Sequence, residues 1–303
     1  MNELLLNILT SPEGNRLQYK DVENALIDNQ LKNEFEIRKG VPIVLSKDAK
    51  ERWMDVTMSN GLRARVFYAD HYNRDAEAFD YFEEHEDGAS RHENRRLRET
   101  IIRQVPEEAK TILDVGCGSA WVAGHFCKKG VTVYSMDISV RNPIKALEKY
   151  PFDNHLALVA DVYALPFAEN VFDCIITAEV IEHTPDPKIF ISNLLRTLKS
   201  SGTLIITTPF NEAIPYSLCV HCNHLTPHNA HLHSFNRQNV GTLLQNLNVQ
   251  SWKMTTFSNK ALSKLRTHLL FQYLPYHIWK LFDNLANGIW KRPLRMFLKI
   301  QKQ

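Results

Sequence analysis

Residues 111–120, which read TILDVGCGSA, decide the fold of this chain. The apolar side chains on both sides of Asp114 are typical of a short buried strand, and Gly116 and Gly118 form a tight turn after it. Residues 121–129 have the pattern of a helix. Glycines in such a turn let the backbone approach a ligand closely, because no Cβ is in the way. The unpaired N–H groups of the first helical turn face the same place, so the stretch predicts a ligand site.

The spacing of the glycines distinguishes between two kinds of cofactor. A diphosphate-binding loop has the pattern G-x-G-x-x-G, and Trp121 occupies the position of its third glycine here. Asp114 lies instead two residues before Gly116, where a carboxylate favours a cofactor with a positively charged head group and repels a diphosphate. This D-x-G-x-G-x-A stretch resembles the first motif of class I S-adenosylmethionine-dependent methyltransferases.

Two further acids follow the next predicted strands. Asp137 ends the second strand and Asp161 follows the third. An acid about 20 residues after the glycine turn is where such folds bind ribose hydroxyls. The resemblance implies that Asp137 binds the ribose and Asp161 the adenine amino group, with Ile138 and Val162 packed on the two faces of the adenine. The cofactor-binding residues that it implies are Asp114, Gly116, Gly118, Asp137, Ile138, Asp161, Val162 and Glu179.

The resemblance implies an α/β fold: a seven-stranded, Rossmann-like methyltransferase sheet with helices on both faces. We expect residues 109–303 to form this domain, after a small β-rich module at 1–46 and a linker with lead-in helices at 47–108. Aromatic residues of the first lead-in helix are expected either to close the cofactor cleft or to pack in the core. The arginines of a second predicted helix, 92–104, are expected on a solvated face.

The N-terminal segment has a resemblance of its own. LLLNILTSPEGNRLQY near its start and FEIRKGVPIVLS near its end are similar to the small zinc-ribbon-like domain that activates tRNA and release-factor methyltransferases. Ser11 and Gly14 stand where that domain has its first cysteine pair, and no cysteine precedes Cys117. The resemblance therefore implies a metal-free module, which either docks a partner or only packs against the enzyme.

The loop after the fourth predicted strand, AEVIEHTPD at 178–186, faces the region where an acceptor would bind. His183 is the candidate catalytic base, because the unperturbed pKa of histidine is near neutrality. In the resembling family, Glu182 and His183 belong to a widespread motif, so they are also consistent with a role in shaping the loop. The loop lacks the Asn/Asp-Pro-Pro-Tyr/Phe signature, which argues against methylation of DNA or of glutamine.

Residues 215–235 combine cysteines and histidines at the spacing of a zinc site. Cys219 and Cys222 would supply two thiolates, and His231 with His228 or His224 would supply the imidazoles. The resembling family includes members with a C-P-x-C-G insertion here, and the implied zinc would be structural. The alternative is that the thiols are free and the histidines exposed. The predicted metal ligands are Cys219, Cys222, His228 and His231.

Residues 260–292 interrupt the sequence pattern of the family with an insertion of predicted helices. The insertion is rich in Leu, Phe, Tyr and Trp, and basic residues outnumber acidic ones in the last forty residues. Basic amphipathic helices are typical of peripheral contact with an anionic membrane, here expected for 260–303. A lid over the acceptor or a dimer face is equally consistent with the pattern.

Composition limits the classes of function. The chain has 303 residues, 44% of them hydrophobic, and a formal net charge of +2, so nothing demands a nucleic-acid partner. Its N-terminus lacks a signal-peptide pattern and its five cysteines are scattered, from which we expect a cytoplasmic protein with peripheral membrane contact as an option. We predict transfer of a methyl group from S-adenosylmethionine to an oxygen or carbon of a small or amphiphilic acceptor, such as a quinone precursor, a lipid-linked sugar or a glycan.

The alternative is a translation-linked methyltransferase, or a scaffold without activity, that recognises tRNA or a protein through the N-terminal module. The acidic character of residues 1–46 disfavours tRNA. The sequence leaves the oligomeric state open.

Overall fold

A computed structural model describes residues 2–46, 49, 53–83, 87–220 and 223–303. The strands in chain order are β1 Leu17–Lys20, β2 Ala25–Asp28, β3 Asn33–Arg38, β4 Val41–Val44, β5 Met54–Thr57, β6 Arg63–Val66, β7 Thr111–Val115, β8 Thr132–Asp137, β9 His155–Ala160, β10 Phe172–Ala178, β11 Leu198–Pro209, β12 Tyr216–Leu218, β13 Leu225–Pro227, β14 Val249–Asn259 and β15 Pro293–Lys302. The helices are α1 Glu3–Leu6, α2 Tyr68–Ala78, α3 Gly88–Ile102, α4 Trp121–Phe126, α5 Arg141–Lys149, α6 Pro187–Thr197, α7 Arg237–Leu243, α8 Lys260–Lys264, α9 His268–Phe271 and α10 Tyr276–Ile289.

Eleven of these strands form one mixed sheet, in the order β1-β2-β3-β4-β9-β8-β7-β10-β11-β15-β14. Strands β4 to β11 of this order run parallel, and β15 is antiparallel to both of its neighbours. Seven of its strands, β7 to β11 with β14 and β15, come from residues 109–303, for which a seven-stranded sheet was predicted, and the other four come from the N-terminal segment. The N-terminal strands extend it, because β4 pairs in parallel with β9, with Ile43 opposite Val159.

The central strands are buried along almost their whole length. All six residues of β9 and four of the five in β7 are buried. A parallel sheet covered on both faces requires such continuous apolar runs. Helix α6 illustrates how local sequence ends an element, because Asp186 caps it by accepting hydrogen bonds from the N–H groups of Lys188 and Ile189. The parallel strands therefore end together at one edge of a rigid sheet.

Buried charges fasten the C-terminal insertion to the rest of the chain. The Arg96 side chain is fully buried, contrary to the solvated face predicted for the arginines of this helix. Its guanidinium donates to the carbonyls of Phe271 (2.6 Å) and Leu274 (2.8 Å) and to Glu99 (2.7 Å), and it lies over the ring of Trp279. Helix α3 therefore connects the insertion to the sheet.

Replacing Arg96 with Met tests this anchor. The substitution keeps the apolar stem but leaves two carbonyls and one oxygen of Glu99 without their donor, so we expect the free energy of unfolding to fall by about 3 kcal/mol. Arg95→Met is the matched control, because Arg95 is half exposed although it also contacts Glu99 and the carbonyl of Gln272. We expect the control to lose less than about 1 kcal/mol. Urea unfolding measures both, and equal losses would contradict the anchor.

Candidate functional site

A cleft of about 770 Å³ opens at the carboxyl ends of β7, β8, β9 and β10. Strand β7 lies between β8 and β10, so the direction of strand addition reverses there, which is where open α/β sheets bind ligands. The volume is in the range of small-molecule sites. The predicted residues that line the cleft are Gly116, Gly118, Asp137, Ile138, Asp161, Val162, Glu179, His183 and His231.

The glycine turn after β7 is held against the neighbouring strand. The N–H groups of Gly116 and Cys117 both donate to the carbonyl of Met136, at 2.9 and 3.0 Å. Gly116 has φ +68° and Gly118 has φ +45°, a left-handed conformation that glycine adopts without strain. A Cβ on Gly116 would lie 2.6 Å from a methyl carbon of Val180. The turn therefore requires glycine for both conformation and space.

The carboxylate of Asp137, at the end of β8, accepts hydrogen bonds on both of its oxygens. One oxygen accepts from the N–H and the hydroxyl of Ser139, at 3.0 and 2.9 Å. The other accepts from the side-chain amide of Asn142 (3.1 Å) and from the N–H of Gly118 (3.3 Å). The last bond joins the acid to the glycine turn, so the two predicted cofactor elements form one rigid unit.

Asp161 and Asp114 occupy different positions relative to the cleft. Asp161 borders it, follows β9 directly and accepts a hydrogen bond from the N–H of Tyr163 at 2.8 Å. Asp114 is buried within β7 and does not border the cleft. Its Oδ2 has no hydrogen-bond partner among the residues that the structure describes. Burial, with a smaller contribution from the charge of Asp137, raises the pKa of Asp114 well above its usual range.

Glu179 begins the loop after β10 and has φ +57°, a strained conformation for a residue with a Cβ. Its Oε2 accepts from Nε of Arg295 at 3.1 Å, and Arg295 also contacts Glu93 at 3.3 Å. Its Oε1 is buried without a partner in the described part of the chain. Sequence reasoning missed Arg295, which looked like part of a basic surface, because only the pairing of β11 with β15 brings it here.

His183 ends a 3-10 turn, Ile181–His183, on the acceptor side of the cleft. Its Nδ1 lies 3.3 Å from the carbonyl of Ala230, and the edge of its ring meets those of Tyr72 and His231. Burial, followed by the nearby His231, lowers the pKa of His183 to about 4. The imidazole is therefore neutral at pH 7, and it is a weak base.

Glu182 and His231 lie next to His183. Glu182 is buried and its Oε2 accepts from the Thr208 hydroxyl at 2.9 Å. Burial, and then the charge of Glu179, raises the pKa of Glu182 well above its usual range. Nδ1 of His231 lies 2.6 Å from a carboxylate oxygen of Glu212. The ligand-capable atoms of Glu182, His183 and His231 all lie within 4.8 Å of one another.

The predicted zinc site is not supported. His231 belongs to the group with Glu182 and His183, the one set of three or more metal-capable side chains found among the described residues, and Cys219 is not in it. The exposed His228 hydrogen-bonds through Nε2 to the hydroxyl of Ser217 at 2.6 Å. Cys222 lies outside the described residues. His231 and His228 therefore hydrogen-bond to side chains that are not among the predicted metal ligands.

Aromatic residues from the lead-in region form the opposite wall. Tyr68, Tyr72 and Phe79, which were predicted either to close the cleft or to pack in the core, line it together with Tyr81. Phe79 and Tyr81 are largely exposed, whereas Tyr68 is buried. Helix α2 and the turn after it thus give the cleft an aromatic side, to which His71 and Asp75 also contribute.

Comparison with known proteins agrees with this arrangement. The family described as a methyltransferase domain matches residues 89–253. A ubiquinone biosynthesis O-methyltransferase of Caulobacter vibrioides is 29% identical over 109 residues, which are 35% of this chain and 43% of that protein. Norajmaline N-methyltransferase of Rauvolfia serpentina is 30% identical over 129 residues, 39% of this chain and 42% of that protein. The chain thus spans less than half the length of these two relatives.

A solved structure supports the fold assignment. The S-adenosylmethionine-dependent methyltransferase of Mesorhizobium loti superposes with a TM-score of 0.50 at 14% identity, over 70% of this chain and 100% of that one. The family match covers more than half of the chain and includes the glycine turn, Asp137, Asp161 and Glu179. This chain therefore belongs to the methyltransferase domain family, whose cofactor is S-adenosylmethionine.

Proposed function

We propose that this protein transfers a methyl group from S-adenosylmethionine to an oxygen or carbon of a small or amphiphilic acceptor. The observation that carries the proposal is the cleft at the strand ends, where the glycine turn and Asp137 form one unit and His183 faces the acceptor side. A quinone precursor, a lipid-linked sugar or a glycan would suit the aromatic wall of this cleft. The similarity to a ubiquinone biosynthesis O-methyltransferase favours the first of these.

The residues present fit S-adenosylmethionine. Glu179 borders the cleft, and its Oε1, which is buried and has no partner in the described regions, suits the ammonium of an amino-acid head group. Asp137 would hold the ribose and Asp161 the adenine amino group, with Ile138 and Val162 beside the ring. When bound, the cofactor supplies an electrophilic methyl group, so the protein has mainly to align an acceptor and manage its proton.

His183 would contact the acceptor through its free ring nitrogen. The Ala230 carbonyl can only accept a hydrogen bond, so Nδ1 of His183 donates to it, and Nε2 of the neutral ring carries a lone pair. That nitrogen can accept a proton from an acceptor hydroxyl. Because the pKa of His183 is about 4, it would act on a hydroxyl that is already acidic or made so by its surroundings.

The C-terminal insertion supports contact with an amphiphile. No described helix is long and apolar enough to cross a bilayer. The helices α8 to α10 and their ends nevertheless expose apolar side chains, namely Leu265, Leu269, Leu270, Tyr273, Leu281, Phe282, Leu285, Ile289 and Trp290. Exposed cations flank them, namely Lys264, Arg266, Lys291 and Arg292. We propose that this face rests on an anionic membrane surface, where each cation contributes about 1 kcal/mol.

The competing function, recognition of tRNA or a protein through residues 1–46, is supported only by the similarity of that segment to the activator domain. The strands of the segment continue the main sheet through β4 and β9. A structural role for β1 to β4 explains this continuity without a partner.

The class of acceptor is tested by transfer of radiolabelled methyl from S-adenosylmethionine into a cell lysate. We expect label in the organic phase after partition, with none above background for Asp137→Ala, because that variant loses the carboxylate proposed to hold the ribose. Label in RNA or protein would support the competing function. Absence of label in every fraction would contradict the proposed activity.

The role of the glycine turn in binding the cofactor is tested by Gly116→Ala, with Gly130→Ala as its matched control. Both glycines have positive φ, but a Cβ on Gly130 would have no atom within 4 Å, whereas one on Gly116 would meet Val180. We expect Gly116→Ala to weaken S-adenosylmethionine binding at least about tenfold, or ~1.4 kcal/mol, in calorimetry. The control should bind S-adenosylmethionine as the wild type does. Equal binding by both variants would contradict a role of the glycine turn in binding the cofactor.

Membrane contact is tested by sedimentation with vesicles that contain phosphatidylglycerol. We expect the wild type to sediment with them and Leu270→Ser/Tyr273→Ser to bind at least about tenfold more weakly, because each exposed side chain would bury apolar surface. Val22→Ser removes an even more exposed apolar side chain, far from the insertion along the chain, and should have no effect. A wild type that does not sediment and elutes as a dimer would favour the dimer face instead.

A further inference from the structure

Three side chains lie together at the acceptor end of the cleft, and none of them has been assigned a role in binding the cofactor: Glu182, His183 and His231. Their ligand-capable atoms lie within 4.8 Å of one another, and His183 and His231 border the cleft. We propose that they form a binding site for one divalent transition-metal cation, at which an oxygen of the acceptor completes the coordination. The part of this proposal that concerns the acceptor rests on the proposed function, whereas the metal site itself does not.

The two imidazoles are oriented as metal ligands usually are. Nδ1 of His183 is directed to the Ala230 carbonyl (3.3 Å), and Nδ1 of His231 is directed to the Glu212 carboxylate (2.6 Å). A carbonyl oxygen and a carboxylate oxygen accept hydrogen bonds, so Nδ1 of each ring donates and Nε2 of a neutral ring carries the lone pair. A carbonyl or carboxylate on the outer nitrogen is the support typical of histidines that bind a metal, because it fixes the tautomer and the ring orientation.

Backbone contacts join the two segments that carry these ligands. The N–H groups of Leu232 and His233 donate to the carbonyl of Glu182, at 2.8 and 3.2 Å. The rings of His183 and His231 meet edge to face with centroids 4.9 Å apart. The backbone bonds of the two residues that follow His231 therefore fix its position beside His183, as a preorganised site requires.

The charge balance of this region also favours a cation. Glu182 is buried next to the acidic Glu179 and Glu212, which both act on it electrostatically. Arg295 forms its ion pairs with Glu179 and Glu93 and acts on Glu182 only as a more distant charge, and no ion pair to Glu182 occurs within the described ranges. A buried carboxylate without a cationic contact is costly, and a metal ion between Glu182 and the imidazoles would offset that cost.

The donor set indicates the kind of metal. Two imidazole nitrogens and one carboxylate oxygen suit borderline cations such as Fe²⁺, Co²⁺ or Zn²⁺ and also accommodate the harder Mn²⁺, whereas Mg²⁺ and Ca²⁺ prefer all-oxygen sites. Three protein ligands leave positions open for exogenous oxygens. An acceptor with a hydroxyl, or two neighbouring hydroxyls, could fill them. Coordination would lower the pKa of that hydroxyl and so would favour oxygen over carbon as the methylated atom. With the metal bound, Nε2 of His183 is a ligand and no longer a base, so the proton would leave to water.

The test is a titration of the chelator-treated full chain with Mn²⁺ alone, followed by electron paramagnetic resonance. We expect one Mn²⁺ per chain, displaced by Zn²⁺ but not by an equal concentration of Mg²⁺. His231→Gln should weaken binding by more than the about 10–100-fold loss expected for Glu212→Gln, which removes only the outer support of His231. His228→Gln is the matched control on the neighbouring exposed turn and should bind Mn²⁺ as wild type does.

Two results would overturn the proposal: no stoichiometric Mn²⁺ or Zn²⁺ on the wild type, or loss of metal in His228→Gln with retention in His231→Gln. Calorimetric titration of S-adenosylmethionine into the same variants separates this outcome from failure of the proposed function. We expect His231→Gln to keep the cofactor affinity of the wild type. If His231→Gln does not fold, the comparison of Glu212→Gln with His228→Gln decides the question.

Discussion

The constraint on which this site depends is that carboxylates buried at the C-terminal ends of the parallel strands need hydrogen-bond donors. Asp137 meets it with four donors, two of them backbone N–H groups, and one of these belongs to the glycine turn. Glu179 meets it in part with Arg295, and it leaves one oxygen unpaired within the described chain. The same interactions that hold these acids in place therefore also shape the cleft and leave acceptor atoms for a cationic ligand.

Local sequence was sufficient to predict the central strands and the acids at their ends. Continuous apolar runs determine β7 to β10, and each acid comes directly at or after such a run, so neither depends on distant contacts. The extent of the sheet was not predictable in this way. The pairing of β4 with β9 joins residues more than a hundred positions apart, and the apolar pattern of 41–44 suits a separate module equally well.

Polar side chains with distant partners account for the other errors. Arg96 has the sequence pattern of a solvated helix face, but its partners, Phe271 and Leu274, come from the insertion. Arg295 reaches Glu179 only because β15 lies next to β11. His231 has the spacing of a zinc ligand after two cysteines, yet the backbone bonds from residues 232 and 233 to Glu182 bring it beside His183. Spacing along the chain cannot reveal such hydrogen bonds.

The most direct test of the central claim, that the cleft at the strand ends binds S-adenosylmethionine, is hydrogen–deuterium exchange with and without this molecule. The account predicts slower exchange at 115–119, 136–139 and 160–163, and no change in β1 to β3. These segments carry the glycine turn and the acids proposed to hold the cofactor. Binding that leaves all three segments unprotected, or that protects only the N-terminal strands, would contradict the account.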